Sequence, residues 1–241
     1  MDFKGKKVLI TGSTQGIGLA LAKQFSARGA VVYINGAESE EKINNALKVV
    51  PNAVPALCDL SKPDCDRILY EITGDIDILI LNASIQYRKA WDEITDEELD
   101  KQMTVNFKSS LKLIQKYVPH MKMQKWGRVI TVGSVQQAKP HKDMLVYAAS
   151  KAAQNNMVIN LAKQLAEFNI TVNNIAPGVI ETPRNEKALA DKEYAKKVLS
   201  GIPCGHTGEA DDCSGMVLLL CSDEGKYITG ENIFIDGGMK L

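Results

Sequence analysis

Short, almost continuously hydrophobic runs alternate with longer amphipathic stretches along this chain, and this alternation restricts its fold more than any other feature. Runs without polar alternation are typical of strands that are buried on both faces of a parallel sheet. The predicted strands are KVLIT (7–11), VVYI (31–34), AVPAL (53–57), IDILIL (76–81), RVITV (128–132), ITVNNI (170–175) and NIFI (232–235). The predicted helices are 17–28, 38–49, 62–73, 96–122, 147–167, 185–199 and 209–221. The pattern predicts an α/β fold with a doubly wound parallel sheet of about seven strands and helices on both faces.

Composition, charge and cysteine spacing argue against several classes of protein. No repeat, low-complexity segment or linker interrupts the 241 residues, so we expect one domain over 1–241. The formal net charge is zero and no Lys/Arg cluster is dense, which argues against a nucleic-acid partner. The N-terminus leaves no room for a signal peptide before the first predicted strand, and apolar stretches such as MVLLLC are too short to span a membrane. The five cysteines lack the paired spacings of a zinc site or redox dithiol, so we predict a cytoplasmic protein with reduced thiols and no metal.

The sequence TGSTQGIG (11–18) follows the first predicted strand and opens the first predicted helix. Glycines at 12, 16 and 18 allow a tight turn and a close approach of the backbone to a diphosphate. The helix that begins there offers unpaired N–H groups and the positive end of its dipole. This context predicts a dinucleotide-binding turn.

Tyr147 and Lys151 lie four residues apart in a predicted helix, VYAASKAA (146–153), and therefore share one helix face. An ammonium at that distance favours the ionised form of a phenol, as a general acid/base requires. One such pair arises by chance about as often as not in a chain of this composition. It carries weight only together with the other motifs.

The glycine spacing has the T-G-x-x-x-G-x-G form of the short-chain dehydrogenase/reductase family, and the resemblance extends along nearly the whole chain. Further motifs stand in that family's order: CDL (58–60), LNAS (81–84), VNF (105–107), GRVITVGS (127–134), YAASK (147–151), VNNIAPGVIETP (172–183) and YITGENIFIDGG (227–238). The resemblance implies a Rossmann-like fold and an NAD(P)-dependent oxidoreductase that interconverts a secondary alcohol and a ketone by hydride transfer. It also implies a homotetramer packed through the two long helices and the C-terminal strand.

The same resemblance assigns roles to four catalytic residues. Tyr147 is the expected general acid/base, and Lys151 the cation that tunes it and binds the nicotinamide ribose. Ser134 is expected to donate to the substrate oxygen, and Asn106 to hold a water that connects Lys151 to solvent. The cofactor-binding residues that the resemblance implies are Gly12, Ser13, Gln15, Gly16, Ile17, Gly18, Asn35, Gly36, Asp59, Leu60, Asn82, Ala83, Ser84, Tyr147, Lys151, Pro177, Gly178, Ile180 and Thr182.

The end of the second predicted strand bears on the choice of cofactor. Gly36 stands where NAD enzymes of the family carry an acid, and Ala37 where NADP enzymes often carry arginine. Gln15 occupies the other usual basic site. Glu38, Glu40 and Glu41 either repel a 2′-phosphate or form the solvated first turn of a helix. The balance leans to NAD over NADP.

The predicted substrate contacts are mostly polar, which favours a small polar substrate such as a sugar or sugar acid. They are Ser134, Gln86, Arg88, Gln136, His141 and Arg184. Arg88 and Arg184 could clamp a carboxylate. Leu81 and Ser84 depart from the family's Asn-Asn-Ala-Gly, and Ser84 adds bulk beside the nicotinamide. By resemblance, 183–205 is the substrate loop, which often closes on binding; the alternative is a fixed surface helix.

Two alternatives remain open. One is a 3-ketoacyl or enoyl thioester reductase of the same fold, for which exposed basic residues at the pocket mouth would speak; the sequence shows no convincing run of them. The other is a non-catalytic nucleotide-sensing module, which would not need Asn106, Ser134, Tyr147 and Lys151 together.

Overall fold

The computed structural model describes residues 1–37 and 39–241, apart from the side chain of Lys187. Its main sheet contains seven parallel strands: β1 (Lys7–Ile10), β2 (Val31–Gly36), β3 (Val54–Leu57), β4 (Ile78–Leu81), β5 (Gly127–Val132), β6 (Ile170–Pro177) and β9 (Asn232–Ile235). Their order across the sheet is β3-β2-β1-β4-β5-β6-β9. Two short strands, β7 (Ile180–Glu181) and β8 (Gly208–Glu209), form a separate parallel pair. The predicted doubly wound parallel sheet of seven strands is confirmed.

Helices cover both faces of this sheet. They are α1 (Gly16–Ser26), α2 (Glu40–Leu47), α3 (Cys65–Thr73), α4 (Asp96–Met103), α5 (Ser109–Gln124), α6 (Leu145–Leu165), α7 (Pro183–Leu189), α8 (Lys192–Ser200) and α9 (Ser214–Cys221). Alternate residues of β1 separate into two cores: Val8 and Ile10 pack with Leu21 of α1, whereas Leu9 packs with Leu113 of α5. Successive strand residues point to opposite faces, so continuous hydrophobic runs supply both cores.

The strand order reverses between β1 and β4, because the chain runs outward from β1 to β3 and then returns to the other side of β1. In open α/β sheets, ligands bind at such a switch point, outside the carboxyl ends of the strands. The segments that follow β1, β4, β5 and β6 therefore meet at one edge.

The predicted helix 96–122 is interrupted in the structure. A π-helical turn, Thr104–Lys108, separates α4 from α5. Such turns are frequent at functional sites because they re-aim side chains within a helix. Here the turn contains Asn106, whose side chain is fully buried.

The prediction of one helix over 185–199 is wrong. The structure ends α7 at Leu189 and begins α8 at Lys192. The Asp191 carboxylate accepts hydrogen bonds from the backbone N–H groups of Glu193 and Tyr194, at 3.0 and 3.1 Å. An aspartate that caps a helix in this way starts a new helix rather than continuing the old one. Within residues 1–37 and 39–241, no helix is long and apolar enough to cross a bilayer.

Candidate active site

A cavity of about 990 Å³ opens at the carboxyl ends of the strands. Most of the predicted site residues line it: Gly12, Gln15, Gly16, Ile17, Asn35, Gly36, Asp59, Leu60, Asn82, Ala83, Ser84, Gln86, Ser134, Gln136, His141, Tyr147, Pro177, Gly178, Ile180, Thr182 and Arg184. Ser13, Gly18, Asn106 and Lys151 lie behind its wall, and Arg88 lies outside it. The structure thus gathers residues from the whole chain around one space large enough for a cofactor and a small substrate.

The glycine turn between β1 and α1 has the geometry of a diphosphate cradle. Gly12 and Gly16 have φ of +61° and +56°, a region that favours glycine. Gln15, which precedes α1, makes no side-chain cap to the helix N-terminus in the described part of the chain. Gly16 and Ile17, at the start of this eleven-residue helix, line the cavity, so its N-terminus is placed to bind an anion there. These residues fit a dinucleotide cofactor.

Two buried polar residues hold the turn in place from below. Asn35 at the end of β2 accepts from Gly12 N–H at 3.2 Å and donates to the carbonyls of Ala56 and Cys58. The Ser13 hydroxyl donates to the Ile10 carbonyl at 2.7 Å and accepts from Asn35 N–H at 3.0 Å. Ser13 therefore shapes the turn from its buried side.

The segment after β4 clasps the same turn from its other side. The Asn82 carboxamide donates to the carbonyls of Thr11 and Gly12, both at 2.9 Å. The Thr11 hydroxyl accepts from the N–H groups of Asn82 and Ala83. This packing survives the substitution of Leu81 for the first asparagine of the family motif, because Leu81 points into the core.

The end of the cavity near β2 and α2 is lined by a cation that the sequence analysis missed. Ser39 and Lys42 line it, whereas Glu40 and Glu41, both described, do not. Glu38 lies outside the described residues. The carboxylate of Asp59 accepts from the N–H and hydroxyl of Ser61, both at 2.8 Å. Of the carboxylates that suggested NAD, Glu40 and Glu41 thus do not line this end of the cavity, whereas Lys42 does.

Tyr147 and Lys151 share the buried face of α6, as the spacing predicts. Tyr147 is only 6% exposed and lines the cavity, while the Lys151 ammonium lies 5.8 Å from the centre of its ring. Lys151 is fully buried and donates to the Val132 carbonyl at 2.7 Å and to Gln154 Oε1 at 2.9 Å. Burial, with a smaller contribution from the Arg184 guanidinium, lowers the pKa of Lys151 to about 7. The pKa of Lys151 therefore lies close to neutral pH.

Asn106 and Ser134 complete the predicted group. The Asn106 carboxamide bonds to the N–H and the carbonyl of Ile85, at 2.8 and 2.9 Å, and donates to the Ser150 hydroxyl at 3.0 Å. It thereby ties the loop after β4 to α6. Ser134, at the end of β5, lines the cavity, and its hydroxyl accepts from Gln136 N–H at 3.2 Å. A hydroxyl and a phenol thus reach the same cavity from neighbouring elements.

The rest of the cavity is strongly basic. Among the described lining residues, Lys42, Lys101, Lys139, Arg184 and Lys197 are cationic, and Asp59 is the carboxylate. The three lysines 101, 139 and 197 come from α4, from the loop after β5 and from α8, so no single run of sequence reveals them. The sequence shows no run of exposed basic residues, but the fold brings these three lysines from separate segments to the same cavity.

The two arginines of the predicted clamp have different surroundings. Arg184 lines the cavity and donates to Ser84. Arg88 lies at the rim, where its guanidinium stacks 5.5 Å from the centre of the Tyr194 ring and approaches His141 Nε2 at 3.4 Å. His141 itself lines the cavity, and its pKa is lowered by burial and by Arg88. Of the two arginines, only Arg184 is thus among the described residues that line the cavity.

Comparison with known proteins agrees with this geometry. A family described as "Enoyl-(Acyl carrier protein) reductase" matches residues 12–240. The chain is 37% identical to 3-oxoacyl-[acyl-carrier-protein] reductase of Thermotoga maritima, over the full length of both. It is 35% identical to glucose 1-dehydrogenase of Gluconobacter oxydans (99% and 93% covered) and 33% identical to 3beta-hydroxysteroid dehydrogenase 1 of Eggerthella lenta (100% and 95%).

Among solved structures, the fold matches a 3-oxoacyl (acyl-carrier-protein) reductase from Agrobacterium tumefaciens with NADP bound. The TM-score is 0.92 at 32% identity, with 98% of this chain and 95% of that chain covered. The bound cofactor supports a nicotinamide dinucleotide here and gives no support to the lean to NAD.

Proposed function

This chain belongs to the short-chain dehydrogenase/reductase family of NAD(P)-dependent oxidoreductases, and on that premise we propose that it interconverts a secondary alcohol and a ketone of a small anionic substrate. The observation that carries the proposal is the Tyr147 phenol in the cavity wall with the Lys151 ammonium buried behind it, 5.8 Å from the ring. A pure nucleotide sensor has no need of this pair.

We assign each of the four residues a role that its position supports. Tyr147 gives a proton to the substrate oxygen in reduction and removes it in oxidation. Ser134 donates a hydrogen bond to the same oxygen and stabilises the charge that develops there. Lys151 favours the ionised phenol. Asn106 acts through others, since its carboxamide fixes Ile85 and Ser150 rather than reaching the cavity.

The glycine turn, α1 and the segments after β4 and β6 would hold the cofactor. A nicotinamide dinucleotide supplies or accepts the hydride when bound. We favour NADP over NAD, because Lys42 lines the adenosine end suggested by Gly36 and Asp59, while Glu40 and Glu41 do not. An ammonium at that position would pair with a 2′-phosphate.

The basic lining favours a substrate that carries a negative charge. Four cations other than Lys42 meet the cavity, and a sugar acid would offer them a carboxylate together with the hydroxyl to be oxidised. The similarity to a glucose dehydrogenase supports a polyhydroxylated substrate. Neutral apolar substrates would gain no ion pair from these cations.

A second candidate is a 3-oxoacyl thioester reductase. The similarity to acyl-carrier-protein reductases favours it, as do the lysines at 101, 139 and 197, which would suit an acidic carrier protein.

We also propose that the protein is a homotetramer, for which exposed Ile159 on α6 and Tyr227 before β9 offer apolar contacts. We further propose a cytosolic location, which the free cysteines support.

The decisive experiment combines a substrate screen with the Tyr147→Phe variant. Polyols, sugars, sugar acids and 3-oxoacyl thioesters would be assayed with both cofactors, and cofactor affinity measured by fluorescence titration. We expect Tyr147→Phe to lose at least about 100-fold in kcat while its cofactor affinity stays within a few-fold of wild type. A variant with undiminished turnover would exclude the proposed acid/base, and a preference for neutral apolar alcohols would exclude the anionic substrate.

A further inference from the structure

Gln154 lies three residues after Lys151 on α6 and is as deeply buried as the lysine, with no exposed surface. Its side chain is placed between the lysine and the neighbouring helix. Gln154 Oε1 accepts from Lys151 Nζ at 2.9 Å, and Gln154 Nε2 donates to the Ser110 hydroxyl on α5 at 2.9 Å. The Ser110 hydroxyl in turn bonds to the Asn106 carbonyl at 3.3 Å. A fixed chain of side chains therefore connects Lys151 with the π-helical turn.

The chemistry of the groups fixes the direction of this chain. An ammonium has three donors and no acceptor, so the amide oxygen of Gln154 must face Lys151 and its NH₂ group must face Ser110. Two of the three N–H groups of Lys151 are then committed, to Val132 and to Gln154. One remains for the acid–base pair with Tyr147.

The charge of the partner matters as much as its position. A carboxylate at 2.9 Å would hold the lysine protonated but would add a negative charge beside the phenol and oppose its ionisation. A carboxamide provides the same hydrogen bond without that charge. The other members of this hydrogen-bond chain, the Ser110 hydroxyl and the Asn106 backbone carbonyl, are neutral as well.

Tyr147 is the titratable neighbour of Lys151 on the same helix. The other charged and titratable groups come from other elements, and Arg184 of α7 acts on the lysine through space. Lys101 of α4, with Lys139 and His141 of the segment between β5 and α6, lines the same cavity. β5 contributes the Val132 carbonyl.

We propose that Gln154 is a positioning residue for the reaction. It anchors the Lys151 ammonium against Val132, and because its acceptor is neutral, it places no buried negative charge near the Tyr147 phenol. This inference rests on the proposed function, because it concerns the same acid–base pair.

The pH dependence of kcat/KM tests the charge argument. Gln154→Glu keeps the size of the side chain and introduces the carboxylate. We expect the apparent pKa of the acidic limb, which belongs to the coupled pair, to rise by about one unit or more, with the KM for NADP within about threefold of wild type. Gln154→Leu removes the acceptor, and we expect kcat to fall about 10- to 100-fold.

Matched controls separate this role from a structural one. Gln164 lies on the same helix, exposed, and bonds to Asn160. Gln164→Glu and Gln164→Leu should leave both the pH profile and kcat unchanged. Ser110→Ala removes the anchor of the amide without touching Lys151, so it should lower kcat less than Gln154→Leu does.

The outcomes are distinct. A Gln154→Glu enzyme with the wild-type pH profile would overturn the proposal, even if its melting temperature were lower, since that combination marks a purely structural residue. If Gln154→Leu does not fold, Gln154→Glu and Ser110→Ala decide the question alone. Tyr147→Phe is assayed in parallel: if it retains turnover, the proposed function fails, whereas a dead Tyr147→Phe beside unperturbed Gln154 variants overturns this inference only.

Discussion

The guanidinium of Arg184 donates to the hydroxyl of Ser84 at 3.0 Å and to its carbonyl at 2.5 Å, and so joins α7 to the loop that follows β4. Ser84 is one of the positions at which the chain departs from the family motif, where glycine would offer no hydroxyl. Both residues line the cavity. The departure therefore gives α7 a polar contact across the site.

This link predicts a charge-selective effect at Arg184. A substrate carboxylate can replace Ser84 as the partner of the guanidinium, and a charge-assisted hydrogen bond contributes about 1.5–3 kcal/mol. Arg184→Met should therefore raise KM for acidic substrates about tenfold or more and change KM for neutral ones little. Steady-state kinetics on a matched acid and alcohol would measure this. Arg88→Met, at the rim, is the control with the smaller effect; equal changes for both substrates would contradict the assignment.

Lys42 predicts the cofactor preference. Its side chain lines the end of the cavity near α2, where an ammonium can meet a 2′-phosphate. Lys42→Ala should raise KM for NADP about tenfold and leave KM for NAD unchanged, and Lys42→Glu should shift the preference further toward NAD. Lys48→Ala, at the far end of the same helix, serves as control. An enzyme that uses NAD better than NADP before any substitution would reject the proposed preference.

The sequence predicted the sheet well because its strands are recognisable from local composition alone. Motif spacing also located the Tyr147–Lys151 pair, since the i to i+4 relation is a property of any helix. The sequence did not reveal contacts between segments that are distant along the chain. Lys101, Lys139 and Lys197 converge only through tertiary structure, and Gln154 acquires its partner Ser110 from another helix. The break at Asp191 was missed because helix-prone residues stand on both sides of this aspartate, and only the structure shows that it caps a new helix.

The buried Lys151 predicts a stability effect with a definite sign. Its folded-state pKa is about 7, lowered from 10.5, so between these values the unfolded chain binds more protons and the penalty for burying the ammonium decreases as pH rises. Relative to wild type, Lys151→Met should therefore be more stable at pH 6 than at pH 10. Urea unfolding of both proteins across this range would show the difference. Lys163→Met, exposed on the same helix, is the matched control for the loss of a lysine from α6. A constant difference for Lys151→Met would contradict the lowered pKa.

Substitution of Gly18 is expected to impair the packing of α1 and the affinity for the cofactor together. A Cβ at this position would lie 2.6 Å from Asn82 Nδ2 and 2.6 Å from the Gly12 carbonyl oxygen, so α1 could not approach the glycine turn so closely. Gly18→Ala should destabilise the fold by about 1–3 kcal/mol, as overpacking does, and should weaken cofactor binding because the turn moves.

Gly215 in α9 provides the matched control, since a Cβ there has no atom within 4 Å. Gly215→Ala should stabilise the fold by about 0.5–1 kcal/mol through helix propensity and leave cofactor affinity unchanged. Thermal unfolding and fluorescence titration of the two variants measure both quantities. Equal behaviour of the two alanine variants would mean that the close contact of α1 with the turn does not shape the cradle.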